Sequence, residues 1–286
     1  MSFINIWVPR RFSALLLSLF LVLLLLLPAG LSFAEEDPEA GEMRIHAFSF
    51  GKADAFLISN DAGAVLIDCG EGGQGKEIIQ YCAANGIEKL DALIITHFDK
   101  DHVGGAPKVI KKIPIDSVFQ SNCPKDSDEY FKYSKTLGQC SVEPVTVREE
   151  TAFSLGGVTF TIYPPEKELY QTEESNNSSL ITAVRFGETA FLFTGDCEGE
   201  RLLELLQTPL GRYDVLQIPH HGKWQVQLPA LLSMTQPSYV LITSSAAEPE
   251  DYMTLYTLQG EGIGSLLTRE GAIDLFSDGR AVTISQ

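Results

Sequence analysis

Past residue 42 the chain alternates short apolar runs with turn-forming residues. Strands are predicted at Met43–Phe50, Ala55–Ser59 and Ala64–Asp68, where apolar positions alternate or run unbroken between Gly and Asp. Lys76–Asn85 predicts a helix, because Ile78, Ile79 and Cys82 share a face and Gly86 supplies a C-terminal stop. Ala92–Thr96 predicts a buried strand, followed by a polar loop at 97–102. Gly104-Gly105 then opens a helix toward Ile113, and residues 117–147 read as irregular. A second series of strands begins at Phe153, with Val158–Tyr163, Leu180–Phe186 and Thr189–Thr194. It continues through a helix at Glu198–Gln207, a strand at Val215–Pro219 and a helix at Leu228–Met234. Strands at Tyr239–Thr243, Ser265–Thr268, Ala272–Phe276 and Ala281–Ser285 complete it. Two series of strands with helices after several of them predict an α/β architecture of two β-sheets flanked by helices. No Pro/Ser/Gly-rich linker divides residues 43–286, which are predicted to form one domain.

The N-terminus follows another pattern. Arg10 and Arg11 precede an apolar run from Phe12 to Leu27, broken only by Ser13 and Ser18. Pro28, Gly30 and the small residues of Ser32-Phe33-Ala34 follow. This predicts a signal peptide over 1–34, cleaved after Ala34 and leaving no stable membrane span, with an uncleaved anchor as the alternative. Residues 35–42 read as an acidic linker, and the remaining chain is expected to be secreted or otherwise extracytoplasmic. Export permits disulfides, and Cys123 with Cys140 would close a loop worth about 3 kcal/mol. The alternative is that the five cysteines stay unpaired.

Charge narrows the partners. The chain carries 21 basic and 38 acidic residues, a formal charge of −17, and 44% apolar residues. Removing Arg10 and Arg11 leaves 19 basic against 38 acidic, a charge of −19. The charge argues against a general nucleic-acid coat, since phosphate binding needs a basic surface. Lys100, Lys108, Lys111 and Lys112 form a local basic stripe, for which a solvated helix face is the favoured reading.

Four of the five histidines fall in two short motifs. Residues 96–105 read Thr-His-Phe-Asp-Lys-Asp-His-Val-Gly-Gly, placing His97, Asp99, Asp101 and His102 just after a buried strand. Imidazole and carboxylate together suit divalent metals. His220-His221-Gly222 supplies two further imidazoles, and His46 in the first strand reads as structural.

The 97–102 motif resembles the H-x-[HD]-x-D-H signature of the metallo-β-lactamase superfamily. Leu66-Ile67-Asp68-Cys69-Gly70, Phe193-Thr194-Gly195-Asp196 and Ile218-Pro219-His220-His221-Gly222 resemble its other motifs, in the same order. Within the superfamily the chain is most similar to the metallo-β-lactamase-like domain of ComEC-type DNA-uptake proteins and their secreted stand-alone relatives. Asp99, the Asn176-Asn177-Ser178-Ser179-Leu180 stretch and the hairpin from Ile45 to Ala55 carry that likeness. The chain departs from the pattern at Ala53, Lys223 and Ala247-Glu248-Pro249, all read as lying around the mouth of the site.

The resemblance implies a four-layer αβ/βα sandwich and two divalent metal ions, zinc first and manganese as the alternative. His97 and Asp99 would hold one ion, Asp101, His102 and His221 the other, with Asp196 shared. Asp68 would orient a ligand imidazole, Asp101 and His220 would serve catalysis, and Asn177 and Lys223 would meet substrate. The first ion lacks the usual third-motif histidine, since none lies between residues 103 and 219. The activity implied is a metal-dependent hydrolase using a metal-bound hydroxide on a phosphodiester: a nucleotide, DNA or an envelope-linked ester. The charge disfavours nucleic acid and favours a small or envelope-linked diester. A β-lactam or lactone hydrolase and a non-catalytic exported binding module are the alternatives. Oligomeric state is not legible.

Overall fold

A computed structural model describes residues 41–171 and 174–286. The signal-peptide reading of 1–34 and most of the acidic linker lie outside the described residues. Two mixed sheets form the centre. The first runs β15(Val282–Ser285), β14(Ile273–Ser277), β1(Met43–Ala47), β2(Phe56–Asn60), β3(Gly63–Ile67), β4(Leu90–Ile95), β5(Ile115–Gln120) and β6(Val145–Thr146) from edge to edge. The second runs β13(Gly264–Leu267), β12(Tyr239–Ile242), β11(Val215–Gln217), β10(Thr189–Phe193), β9(Ile181–Phe186), β8(Val158–Tyr163) and β7(Thr151–Leu155).

The period-2 pattern decides the layers. In β3, Val65 and Ile67 enter a core between the sheets, while Ala64 and Leu66 face helices. In β10, Phe191 and Phe193 join the same central core, while Ala190 and Leu192 face helices on the other side. One outer layer holds α1(Gly75–Ala84), α2(Lys100–Val103), α3(Ala106–Lys112) and α4(Asp128–Cys140). They bring Ile78, Val103, Val109 and Tyr133 onto the first sheet. The other holds α6(Gly199–Leu205), α7(Leu228–Thr235) and α8(Tyr252–Gly260), which bring Leu202, Leu231 and Leu258 onto the second. A short α5(Glu174–Asn177) leads into β9. The chain is thus an αβ/βα sandwich. Among the described residues no helix is long and apolar enough to cross a membrane.

Four points of the sequence reading are corrected. Residues 117–147 are not irregular: they hold most of β5, all of α4, and β6. Only Tyr133, Thr136 and Leu137 of α4 are buried, so its apolar stripe is thin; Ser127, whose hydroxyl accepts from the Tyr130 N–H, starts it. The loop at 97–102 becomes helical from Lys100. A helix absent from the sequence reading, α8, buries only Thr254 and Leu258 and leaves Tyr252 and Tyr256 outside. Cys123 and Cys140 form no disulfide, since Cys140 is an exposed free thiol at the end of α4. His46 is structural: its Nδ1 lies 2.7 Å from Asp274 Oδ1 and its ring stacks on Tyr81.

Candidate metal centre

β3 to β6 and β10 to β13 run parallel within their sheets. The residues just beyond their C-terminal ends converge, as ligand sites of open α/β sheets do. Asp68 follows β3, His97 to His102 follow β4, Asp196 follows β10, and His220 and His221 follow β11. The turns are conformationally special. His220 and His221 both have positive φ, 48° and 55°, and Gly222 follows at 81°. At Gly222 a Cβ would also come within 2.6 Å of the Glu250 Cβ, so only glycine completes the turn.

Hydrogen bonds behind the imidazoles fix which nitrogen faces the centre. The Thr96 hydroxyl donates its one proton to Asp68 at 2.6 Å, so toward His97 Nδ1, 3.1 Å away, it accepts. His102 Nδ1 donates to Asp68 Oδ2 at 2.7 Å. The Thr243 hydroxyl donates to Asp54 Oδ1 at 2.6 Å and so accepts from His221 Nδ1 at 2.9 Å. All three rings therefore carry a proton on Nδ1 and turn Nε2 inward. His102 Nε2 lies 3.3 Å, His221 Nε2 3.1 Å and His97 Nε2 4.0 Å from Asp196 Oδ2. These three Nε2 atoms and Asp196 Oδ1 are buried and make no hydrogen bond.

Buried polar atoms without partners are costly, and here the three ring nitrogens surround one carboxylate, Asp196. His97, His102 and Asp196 form one set whose ligand atoms lie within 4.8 Å of one another. Asp101, His102 and His221 form a second, and Asp54, Asp196 and His221 a third. Nitrogen and carboxylate oxygen in this number and spacing fit zinc or manganese. Electrostatics agrees that positive charge is wanted there. Burial alone would lower both imidazoles, but Asp196 with Asp68 around His102, and Asp196 with Asp101 and Asp54 around His221, outweigh it. Both are held well above the ordinary imidazole value. Burial disfavours an ionised Asp196, yet His221 and His102 hold its pKa well below the carboxylate range. Asp101 is likewise held low against burial by His221 and His102.

The remaining expected residues are placed as follows. Asp99 Oδ1 lies 3.9 Å from His97 Nε2 and also accepts from Lys125 Nζ at 2.5 Å and from the Ser175 hydroxyl. Asp101 Oδ2 lies 3.5 Å from His221 Nε2. His220 points Nε2 toward Asp196 Oδ2 at 3.8 Å and donates from Nδ1 to the buried Glu198. Burial lowers the His220 pKa to about 4, against the pull of Asp196 and helped by His221 and Lys223. Asn177 and Lys223, expected to meet substrate, have protein partners instead or besides. Asn177 is fully buried, and its carbonyl accepts from the Glu198 and Arg201 N–H groups, where it caps the start of α6. Lys223 is held by Glu198 at 2.9 Å. Residues the sequence reading passed over are Asp54, Thr96, Thr243, Lys125, Ser175 and Glu198. Only Asp54 had a signal, as the acid closing the Gly51-Lys52-Ala53-Asp54 hairpin.

Comparison with known proteins agrees with this geometry. The family model described as the metallo-beta-lactamase superfamily matches residues 49–122. Recombination protein 2 of Haemophilus influenzae is 28% identical over 72% of this chain and 25% of its own length. ComE operon protein 3 of Bacillus subtilis is 28% identical over 72% of this chain and 29% of its own. Competence protein ComA of Neisseria gonorrhoeae is 26% identical over 84% of this chain and 34% of its own. The chain thus spans about a quarter to a third of the relatives it matches. Among solved structures, the metallo-beta-lactamase fold protein YhfI of Bacillus subtilis covers 85% of this chain and all of its own. Its TM-score is 0.54 at 11% identity.

Proposed function

We propose that this chain, which has the metallo-β-lactamase fold and resembles part of the competence proteins, is a secreted metal-dependent phosphodiesterase. One observation carries the metal reading: the Nε2 atoms of His97, His102 and His221, all buried and without hydrogen-bond partners, each lie within 4.0 Å of Asp196 Oδ2. His97, Asp99, Asp101, His102, His221 and Asp196 would hold the two ions. When bound, the ions would lower the pKa of water and polarise the ester under attack. The chain's own residues do the rest. Asp68, Thr96, Thr243 and Asp54 keep the ligand rings in one tautomer. His220, held by Glu198, presents a fourth imidazole to the same space, where it orients substrate or stabilises developing charge.

A phosphodiester is favoured over a β-lactam because an aspartate, Asp99, stands in the second motif and no third-motif histidine exists. A small or envelope-linked diester is favoured over long DNA. The charge of −19 repels a polyanion. One lysine of the basic stripe, Lys100, is partly offset by Glu71, 3.5 Å away. Residues 43–286 would form the hydrolase domain.

The test is hydrolysis by the purified chain of a bis-aryl phosphodiester, a phosphomonoester, a cephalosporin and single-stranded DNA, with Asp101→Ala as control. The reading predicts diester turnover that Asp101→Ala loses. Cephalosporin turnover alone would overturn the substrate class. No turnover beyond the control on any of the four would return the chain to a binding module.

A further inference from the structure

Two lysines stand at the rim of the site, each against a carboxylate. Lys223 Nζ lies 2.9 Å from Glu198 Oε1, and Glu198 serves His220 and faces Asn176 besides. Lys125 Nζ lies 2.5 Å from Asp99 Oδ1, which also accepts from Ser175. The two counter-ions differ in their other duties. Glu198 contacts none of the unpartnered ligand nitrogens, whereas Asp99 lies 3.9 Å from the unpartnered Nε2 of His97. An ammonium and a divalent cation therefore compete for Asp99, and nothing comparable competes for Glu198.

The surroundings let Lys125 change partner. It sits between β5 and α4, in a segment tied down by the Ser121 hydroxyl, which donates to the Ser178 carbonyl at 2.6 Å. Ser175 reaches the same Asp99 oxygen from the other side of that tie. The Lys125 side chain is 36% exposed and Asp99 25%, so the pair borders solvent rather than core. A lysine on its flexible stem swings readily from one anion to another.

We infer that Lys125 is the substrate's anion anchor: it rests on Asp99 until a metal ion takes that carboxylate, and then holds a non-bridging phosphoryl oxygen beside the Ser175 hydroxyl. The inference rests on the phosphodiesterase reading and names the residue that recognises the diester's single negative charge. It also couples metal occupancy to anion affinity, because one event frees the cation that the other uses.

The test uses two titrations of wild type, Lys125→Met and Lys125→Arg. Calorimetry with dimethyl phosphate reads anion affinity in the zinc-loaded protein. Competition against a chromophoric chelator reads zinc affinity in the stripped protein. Lys125→Met is expected to bind dimethyl phosphate about tenfold more weakly, the scale of one charge-assisted hydrogen bond. It is also expected to take up zinc several-fold more tightly, because the competing ammonium is gone. Lys125→Arg recovers most of the diester affinity. A merely structural lysine would weaken both affinities together, so shifts of the same sign, or no shift, overturn the inference. Wild type that takes up zinc but neither binds nor hydrolyses diesters overturns the phosphodiesterase reading itself. Wild type that does both, with Lys125→Met unchanged, overturns the anchor alone.

Discussion

Replacing Asp68 with Asn tests whether the residues behind the imidazoles govern metal binding. Asp68 sits at φ 57°, a region Asn tolerates as well as Asp, so the turn after β3 survives. The amide oxygen still accepts from the Thr96 N–H, now bonded at 2.9 Å. The change falls on the oxygen that accepts from the Thr96 hydroxyl and from His102 Nδ1, which becomes an NH2 group. The threonine hydroxyl turns to accept from it. His102 Nδ1 can no longer donate there, so the neutral ring keeps its proton on Nε2. That is the atom 3.3 Å from Asp196 Oδ2 whose lone pair a metal needs. Losing such a partner costs about 10- to 100-fold in metal affinity, roughly 1.4–2.7 kcal/mol. The fold should lose less, about 1 kcal/mol, because the substitution keeps the shape and most hydrogen bonds re-form. Competition with a chromophoric zinc chelator reads the first quantity and a thermal melt the second. Zinc affinity within twofold of wild type, with an unchanged melt, would refute the reasoning.

Zinc uptake should release protons, because His102 and His221 are held above the ordinary imidazole value and carry them at neutral pH. Affinity should therefore weaken as pH falls, by up to about tenfold per pH unit for each proton displaced; titrations in two buffers of different ionisation enthalpy count them, and zero release contradicts the assignment. Gly105→Ala would set a Cβ 2.0 Å from the Cys69 carbonyl oxygen and 3.0 Å from the Gly75 nitrogen, lowering stability by about 1–3 kcal/mol in denaturant unfolding. Arg201→Met would remove a buried guanidinium that serves Ser179 O, Tyr163 O and Glu204, leaving the buried Glu204 without its cation. About 3–5 kcal/mol of stability should go with it, and an unchanged urea midpoint would count against that role.

Much of this was legible in the sequence because it depends on period and punctuation. Val65, Leu66 and Ile67 alternate between two cores, and the two-sheet sandwich follows from that alternation. His97, Asp101 and His102 stand out as ligand-type residues clustered after a buried strand, whereas Asp196 and His221 are recognisable through the resemblance of their motifs to the superfamily's. Helices α4 and α8 were hidden because helix prediction needs a continuous apolar stripe, and α8 turns Tyr252, Met253 and Tyr256 outward. Asn177 looked like a substrate contact because it belongs to the Asn176–Leu180 stretch that carries the family likeness, but its amide oxygen accepts from the backbone N–H groups of Glu198 and Arg201 at the start of α6. Lys125, Thr243 and Glu198 had no local signal. Their roles arise from contacts across 26, 189 and 22 residues of chain, which only the fold brings together.

The most direct test of the account is hydrolysis of a bis-aryl phosphodiester by the purified chain before chelation, after chelation, and after restoration of zinc or manganese. The account predicts turnover that chelation abolishes and either added ion restores, with Asp196→Asn inactive throughout. Turnover that survives chelation, or none from protein that holds its metal, would contradict it.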